Sequence, residues 1–466
     1  MVLRRIHNAI NPILHDPRTA ETLQEDPDTT TPPTSPSWPH RPDDTLPAIA
    51  QQAISVLLLS TDQSSGQISG LGYWQTANAY TAIALHDLWS TSSHVPSPPN
   101  HPHNIPLIHN NLRTILSRNP HCINNFNDDT LWYAHLLLLL SAPSSRLPSA
   151  VGSNDYLIHC HEIHKHISRF VLPPGSRDVQ GRDVSASVLW KSDNDCKEVN
   201  SITTSLWAEF CARLAYAASS QETEARGEEG RDAAREGGRE GGRAVGLVEQ
   251  AMGSLDFVFR CLYDREEDVV YDTLKLETGE VVRWCFSYTT GQTIAGCVAV
   301  HEAVSKLTLK SGEEKTRAGE ERKRKADELL GLAMAMARQA VRRKDWVQDG
   351  VVVEYGAYGP ENHKAWENDD AVGFKSVLVR SLAKLWKYLR KLEGDVEVEG
   401  VGAREMVELR EDIERVVRTT YDSLQANCTN GIGQWGPWWA GPMDMSTCHS
   451  QMAVLDVMAV MRLMNG

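Results

Sequence analysis

The chain has 466 residues, a formal net charge of −14 at pH 7 and 41% hydrophobic residues, enough for one large core or two smaller ones. The acidic balance argues against nucleic acid as a partner, because phosphate binding needs clustered Lys and Arg. No segment is apolar over the length needed to span a bilayer, and no apolar stretch of the secretory kind follows Arg4 and Arg5. A neutral polymer is the ligand that suits this composition best.

The first 47 residues are predicted to be a disordered or extended N-terminal segment. From Pro17 onward they are rich in Pro, Thr, Ser and Asp, and such a segment cannot bury enough apolar surface to offset its chain entropy. Residues 48–466 are predicted to form a single helical domain. Charged segments near 220–243 and 311–325 are interpreted as solvated loop insertions in that domain, with a surface helix extension as the alternative for each.

The rest of the chain shows helical periodicity almost throughout, and Val351–Tyr355 is the main strand-like exception. We expect about twelve helices, near residues 48–60, 74–90, 105–118, 128–142, 155–171, 202–218, 245–263, 290–306, 322–343, 372–392, 403–424 and 449–463. Twelve helices make six hairpins, and six hairpins can close into a ring with an inner set of parallel helices and an outer set that runs back. The sequence therefore predicts an all-α fold.

Polar and aromatic clusters precede the even-numbered helices, whereas mostly bland or charged linkers precede the odd-numbered ones. If the even helices form the inner ring, their N-termini share one rim and these clusters converge on one mouth. We therefore expect one residue from each cluster to lie around a single cleft: Trp74, Asp128, Asn200, Tyr288, Phe374 and Trp438.

The segment Asn127–Tyr133 holds two adjacent carboxyl groups, Asp128 and Asp129, at the start of a helix. Asp is a favoured capping residue at this position, so one Asp would need no further explanation. Two neighbouring carboxyl groups repel, and one can stay ionised while the other holds a proton. Glycoside cleavage requires this division of labour, and retaining enzymes place the two groups about 5–5.5 Å apart. Asp128 and Asp129 are the candidate catalytic residues.

Motifs from Gly72 to the C-terminus resemble those of glycoside hydrolase family 76, the α-1,6-mannanases and related fungal cell-wall mannan enzymes. The matching segments occur in the family's order, and each alone is weak: Tyr73-Trp74-Gln75, Asn127-Asp128-Asp129-Thr130-Leu131-Trp132-Tyr133, Trp190-Lys191-Ser192-Asp193, Asn200-Ser201-Ile202-Thr203-Thr204, Phe286-Ser287-Tyr288, Phe374-Lys375, Val379-Arg380, Trp438-Trp439-Ala440-Gly441-Pro442 and Leu455-Asp456. One departure is the pair Thr289-Thr290, which stands where the family has Asn and Gln.

The resemblance implies an (α/α)6 barrel and a retaining glycosidase of the endo-α-1,6-mannanase type, with Asp128 as nucleophile and Asp129 as acid/base. It also implies an extracellular or cell-wall protein, and a reaction that ends in hydrolysis or in transglycosylation. The partner would be a mannan-type polysaccharide or oligosaccharide bound by a monomer. No zinc-type Cys/His spacing and no nucleotide-binding Gly loop occurs, so we expect neither metal nor cofactor.

Ten further residues are candidates for binding the sugar chain. The aromatic ones could stack on sugar rings, although aromatics at helical spacing more often belong to the core, and the amides could bind hydroxyls, with helix capping as the alternative for Asn200. Lys375 could hold a carboxylate or extend along apolar surface to solvent. The candidates are Trp74, Asn78, Trp132, Tyr133, Asn200, Tyr288, Gln292, Phe374, Lys375 and Trp438.

Two other functions fit the same scaffold. One is a second type of (α/α)6 hydrolase that acts on uronyl sugars, which would require basic residues at the mouth to neutralise the sugar carboxylate. The other is a non-catalytic glycan-binding or cell-wall structural protein. The presence of both Asp128 and Asp129 speaks against the second alternative.

Overall fold

The computed structural model describes residues 45–90, 103–142, 153–225, 233–311, 316–392 and 402–465. Twelve α-helices make up most of this part of the chain, as predicted. They are α1 (Leu46–Leu58), α2 (Tyr73–Ser90), α3 (Ile105–Arg118), α4 (Asn127–Ser141), α5 (Ser153–Ile167), α6 (Ser201–Ala225), α7 (Ala233–Cys261), α8 (Ser287–Ser311), α9 (Arg317–Ala340), α10 (Phe374–Leu392), α11 (Ala403–Asn427) and α12 (Cys448–Asn465).

The even-numbered helices form a closed ring. Helix α2 packs on α4, α4 on α6, α6 on α8, α8 on α10, α10 on α12, and α12 returns to α2. Each odd-numbered helix packs on the outside against at least one of them, with α1 lying on α12. This arrangement is an (α/α)6 barrel, so the predicted fold is confirmed.

The sequences of the two helix sets explain which set is inside. Helix α12 buries almost every side chain along its length, including the polar Gln451 and Asp456. Helix α11 buries one stripe only, with Met406, Leu409 and Ile413 in it at helical spacing, and presents charged residues elsewhere. A helix that is buried all round belongs inside the ring, whereas a one-sided helix covers the ring and faces water.

A buried ion pair ties three inner helices together. Arg380 in α10 donates to both carboxylate oxygens of Asp456 in α12, at 2.8 and 2.7 Å. The same guanidinium donates to the side-chain oxygen of Asn78 in α2 at 2.7 Å. All three side chains are buried, so the place where the ring closes on itself carries a fully enclosed polar contact.

The short strands lie in the loops that lead to inner helices. They are β1 (Glu198–Asn200), β2 (Tyr263–Asp264), β3 (Val269–Val270), β4 (Thr273–Lys275), β5 (Val281–Val282), β6 (Val347–Gln348) and β7 (Val351–Val352). An antiparallel sheet in the order β1-β4-β5 sets Asn200 opposite Thr273 and Thr273 opposite Val282. This sheet joins the loop before α6 to the loop before α8.

The described parts of the two charged segments are helical, which is the alternative considered to the predicted loops. Helix α6 continues to Ala225, α7 begins at Ala233 and α9 begins at Arg317. Ala, Glu and Arg favour helix strongly, and in these segments they outweigh the Gly residues. The side chain of Thr316 also caps α9 by accepting from the Gly319 amide at 3.1 Å. Residues 226–232 and 312–315, and residues 1–44 of the predicted N-terminal segment, lie outside the described part of the chain.

Among the helices that the structure describes, none combines the length and the apolar character needed to cross a lipid bilayer. All nine cysteines are free thiols.

Candidate active site

The loop before α4 is fixed to the loop before α6, and this holds the adjacent carboxyl groups in place. The Asn127 amide donates to the Trp190 carbonyl at 2.9 Å, and the Asn127 side chain donates to the Leu189 carbonyl at 2.8 Å. Phe126, the residue before the helix, has an extended backbone and provides no side-chain cap. Asp128 and Asp129 occupy the first turn that follows, and both are half-buried.

Asp128 receives a hydrogen bond on each oxygen. The indole N–H of Trp190 donates to one oxygen at 3.2 Å, and the backbone N–H of Asp129 donates to the other at 3.1 Å. Burial nevertheless raises the pKa of Asp128 from 3.8 to about 6, because loss of water outweighs these two donors. At neutral pH this carboxyl group is therefore still ionised.

Asp129 has a different environment. It accepts one hydrogen bond, from the side-chain amide of Asn124 at 2.8 Å. Burial raises its pKa well above 3.8, and the negative charge of Asp128 raises it further. The pKa values of the two carboxyl groups therefore differ, and Asp129 keeps a proton while Asp128 is charged.

Two more carboxyl groups act on this pair, and the sequence did not single out either as a site residue. Asp272 lies between β3 and β4; its charge raises the pKa of Asp128, and burial raises its own to about 6. Asp370 raises the pKa of Asp129 and accepts a hydrogen bond from Gln75. Its neighbour Asp369 caps a helical turn, because its carboxylate accepts a hydrogen bond from the backbone amide of Ala371 at 2.9 Å. The lone Asp272 carried no pattern that could have revealed it.

An aromatic wall connects several of the candidate binding residues. Tyr288 and Phe374 stack with ring centroids 4.2 Å apart, and Phe374 faces Trp74 at 6.4 Å. Trp438 belongs to the same apolar cluster and stacks on Tyr358 at 4.9 Å. Three of these rings, Trp74, Tyr288 and Phe374, lie at or next to the first residues of α2, α8 and α10. The N-termini of these helices therefore meet at one rim.

The carboxyl groups face the same wall. Burial raises the pKa of the Tyr288 hydroxyl, and the negative charges of Asp272, Asp128 and Asp370 raise it further. Asn200 lies on the same side, because β1 pairs it with Thr273, next to Asp272. The contacts thus bring Trp74, Tyr288, Phe374 and Trp438 into one apolar cluster, and the loops that carry Asp128 and Asn200 lie beside it; that all six line one ligand cleft stays a prediction.

Several candidates are not available to a ligand. Asn78 is buried, donates to the Trp74 carbonyl at 3.0 Å and is held by Arg380. Gln292 is buried and donates to Glu209 at 2.6 Å. Tyr133 is fully buried, with its hydroxyl on Gln67 at 3.0 Å. The prediction that these three side chains bind the sugar chain therefore needs correction, because each polar group is already hydrogen-bonded inside the barrel.

Three further candidates support the cleft from behind. Asn200 caps α6 by accepting from the Thr203 amide at 3.1 Å, which is the alternative considered for it. Trp132 is buried and stacks behind Trp74 at 6.0 Å. Lys375 does not reach solvent: its ammonium is buried, donates to the Val372 carbonyl at 3.0 Å and lies 4.8 Å from the Trp439 ring centroid.

Fold and site together define a helical barrel with paired carboxyl groups at an aromatic mouth. No family model and no curated protein matches the sequence. Among solved structures, the chain is similar to an inactive variant of the α-1,6-mannanase GH76A of Salegentibacter sp. HEL1_6, in which two adjacent aspartates are replaced by asparagine, in complex with α-1,6-mannotriose. The identity is 18% and the TM-score 0.60, over 90% of this chain and 99% of that one.

Other similar structures have the same barrel. A family 76 glycoside hydrolase from a bovine Bacteroides thetaiotaomicron strain is 11% identical, with TM-score 0.59 over 91% of this chain and 79% of that one. A possible member of the GH105 family from Klebsiella pneumoniae subsp. pneumoniae is 12% identical, with TM-score 0.54 over 96% of this chain and 100% of that one. The chain thus has the fold of the family 76 enzymes. These neighbours are bacterial and lend no support to a fungal cell-wall setting.

Proposed function

We propose that this protein is a glycoside hydrolase of the family 76 type, which cleaves α-1,6-mannosidic linkages in mannan with retention of configuration. One observation carries the proposal: Asp128 and Asp129 stand side by side at the aromatic mouth with unequal proton affinities. The neighbour that binds α-1,6-mannotriose has the same fold, and its inactive form lacks two adjacent aspartates.

In the first half of the reaction, an ionised Asp128 oxygen attacks the anomeric carbon and forms a glycosyl ester. Asp129 donates its proton to the departing glycosidic oxygen as the bond to the leaving sugar breaks. In the second half, Asp129 takes a proton from water, the water oxygen attacks the anomeric carbon, and Asp128 is released. A second sugar in place of water gives transglycosylation. The separation of about 5–5.5 Å typical of retaining enzymes stays a prediction for this pair.

The charges around the cleft favour a neutral sugar over a uronyl sugar. Asp272 and Asp370 add two carboxyl groups to the catalytic pair, so a sugar carboxylate would meet like charge. The buried Lys375 is committed to a backbone carbonyl. The aromatic wall, in contrast, suits the apolar faces of neutral pyranose rings.

The same carboxyl groups argue against a protein that only binds glycan. Half-burying two adjacent carboxyl groups costs stability, because both pKa values are raised in the folded state. A binding surface gains nothing from that cost, whereas a two-carboxylate mechanism requires it.

The test is incubation of the protein with α-1,6-mannan and measurement of the product sizes. The wild type should release shorter α-1,6-linked fragments, and the Asp128→Asn variant should release none. Intact polymer after incubation with the wild type would refute the proposed function.

The pH profile should report the two carboxyl groups. Activity should fall on the acid side near about pH 6, where Asp128 takes up a proton, and on the alkaline side where Asp129 loses one. Asp272→Asn removes a charge that raises the pKa of Asp128, so the acid limb should move to lower pH. Asp370→Asn removes a charge that raises the pKa of Asp129, so the alkaline limb should also move to lower pH. Limbs that stay in place in both variants, or move upward, would contradict these assignments.

Trp190→Phe should lower kcat/KM by about ten- to a hundredfold, since hydrogen bonds to charged groups contribute about 1.5–3 kcal/mol. An aromatic ring is kept, but the donor to Asp128 is lost, so the acid limb should move to higher pH. Trp386→Phe is the matched control, because its buried indole N–H has no acceptor within the described residues. Equal effects of the two changes on kcat/KM would show that Trp190 acts through packing alone.

A further inference from the structure

Trp284 is a large aromatic side chain that the packing of the barrel does not explain. It is 44% exposed and lies between the end of β5 at Val282 and the start of α8 at Ser287. Scattered exposed apolar residues are normal on protein surfaces, and Ile158 and Val179 are examples here. What distinguishes Trp284 is the set of rings to which it is connected.

A continuous series of ring contacts leads from Trp284 into the cleft. Its ring lies 5.9 Å from Phe286, and Phe286 lies 5.2 Å from Phe374. Phe374 then stacks on Tyr288, the residue on which the charges of Asp128 and Asp272 act. Trp284 is therefore the outer, solvent-exposed end of the same aromatic wall that lines the candidate catalytic centre.

The backbone holds Trp284 firmly on both sides. Upstream, β5 pairs with β4, which sets Val282 opposite Thr273, the neighbour of Asp272. Downstream, the Ser287 amide donates to the buried carboxylate of Glu354 at 3.0 Å. A platform fixed in this way loses little conformational entropy when a flat ligand stacks on it.

We propose that Trp284 is a distal sugar-binding platform. A mannose unit stacks on it that lies several sugar units away from the cleaved bond. This inference rests on the proposed function and extends it: the protein engages a long chain that leaves the cleft past Trp284, and so acts preferentially on polymer over short oligosaccharides. The occupant is a unit of the same neutral glycan, because the surface is continuous with the cleft and consists of rings.

The experiment compares kcat/KM along a series of α-1,6-linked mannose chains, from mannotriose to the polymer. Trp284→Ala should lower kcat/KM on the polymer about tenfold, the usual size for loss of a well-placed Trp contact, and change it less than about twofold on mannotriose. Trp284→Phe should recover most of the loss. Tyr216→Ala is the control, because Tyr216 is 42% exposed but lies in α6 about four turns from its N-terminus.

The outcomes separate the two proposals. Equal losses on mannotriose and polymer, or none on the polymer, would overturn the assignment of Trp284 while the proposed function stands. A loss with Tyr216→Ala as large as that with Trp284→Ala would also overturn it. Absence of wild-type activity on every chain length would refute the proposed function, and the role of Trp284 with it.

Discussion

Replacing Asp128 by Asn should reduce turnover of α-1,6-mannan by about 10⁴-fold or more while the barrel stays folded. The amide has nearly the shape of the carboxyl group, and its single oxygen can still accept one of the two hydrogen bonds that Trp190 and Asp129 donate to the carboxylate. It is not a nucleophile, so no glycosyl ester can form. Initial rates of reducing-end release for the two proteins give the comparison, and a near wild-type rate would refute the assignment.

The stability of this variant distinguishes catalysis from helix capping. The folded-state pKa of Asp128 lies near 6, above its usual 3.8. Its contribution to stability is therefore present below pH 3.8 and lost as the pH rises through 6. At pH 7 the neutral Asn, which caps a helix as well as Asp does, should be at least as stable as the wild type, whereas Asp128→Ala would lose about 0.5–2 kcal/mol if Asp128 were a cap. Asp155→Asn, in the first turn of the outer helix α5, is the matched control and should leave activity unchanged.

Arg380→Met should lower the free energy of unfolding by about 3–5 kcal/mol, the largest stability effect that we expect from one substitution. The change leaves the Asp456 carboxylate buried without the guanidinium that now occupies both oxygens. It also removes the contact with Asn78 where the ring closes. Chemical denaturation monitored by circular dichroism measures the effect.

A double substitution and a surface pair provide the controls for Arg380. Arg380→Met combined with Asp456→Leu should recover much of the loss, because no buried charge is then left unpaired. Arg404 and Glu408 form an exposed pair one helical turn apart, and Arg404→Ala should change the free energy of unfolding very little, because water screens the pair. Similar losses from Arg380→Met and Arg404→Ala would contradict the importance of the buried contact.

The architecture could be predicted from the sequence because an (α/α)6 barrel repeats one simple pattern. Helical periodicity recurs along the chain, and the site motifs all precede alternate helices, so their convergence on one mouth follows once the ring closes. The helices that continue to Ala225 and begin at Ala233 and Arg317 match the alternative considered for the charged segments, because such sequences suit a solvated loop and a solvated helix equally well.

The adjacent pair Asp128 and Asp129 was visible in the sequence, but the contacts of the neighbouring polar residues were not. Asn78 and Gln292 have the right chemistry for binding hydroxyls, yet each lies one turn or more inside the barrel and serves Arg380 or Glu209. The depth of a side chain along an inner helix is set by the ring, not by local sequence. Asp272 reaches the site through the pairing of β1, β4 and β5, a contact between distant segments that no local pattern announces.

The most direct test of the central claim is the configuration of the first product. Wild-type protein is mixed with α-1,6-mannan in an NMR tube, and the anomeric proton of the newly formed reducing end is followed before mutarotation. A retaining reaction through Asp128 and Asp129 predicts that the α-anomer appears first and the β-anomer only later. Initial appearance of the β-anomer would contradict the account, since it would require a single displacement by water and exclude a glycosyl ester on Asp128.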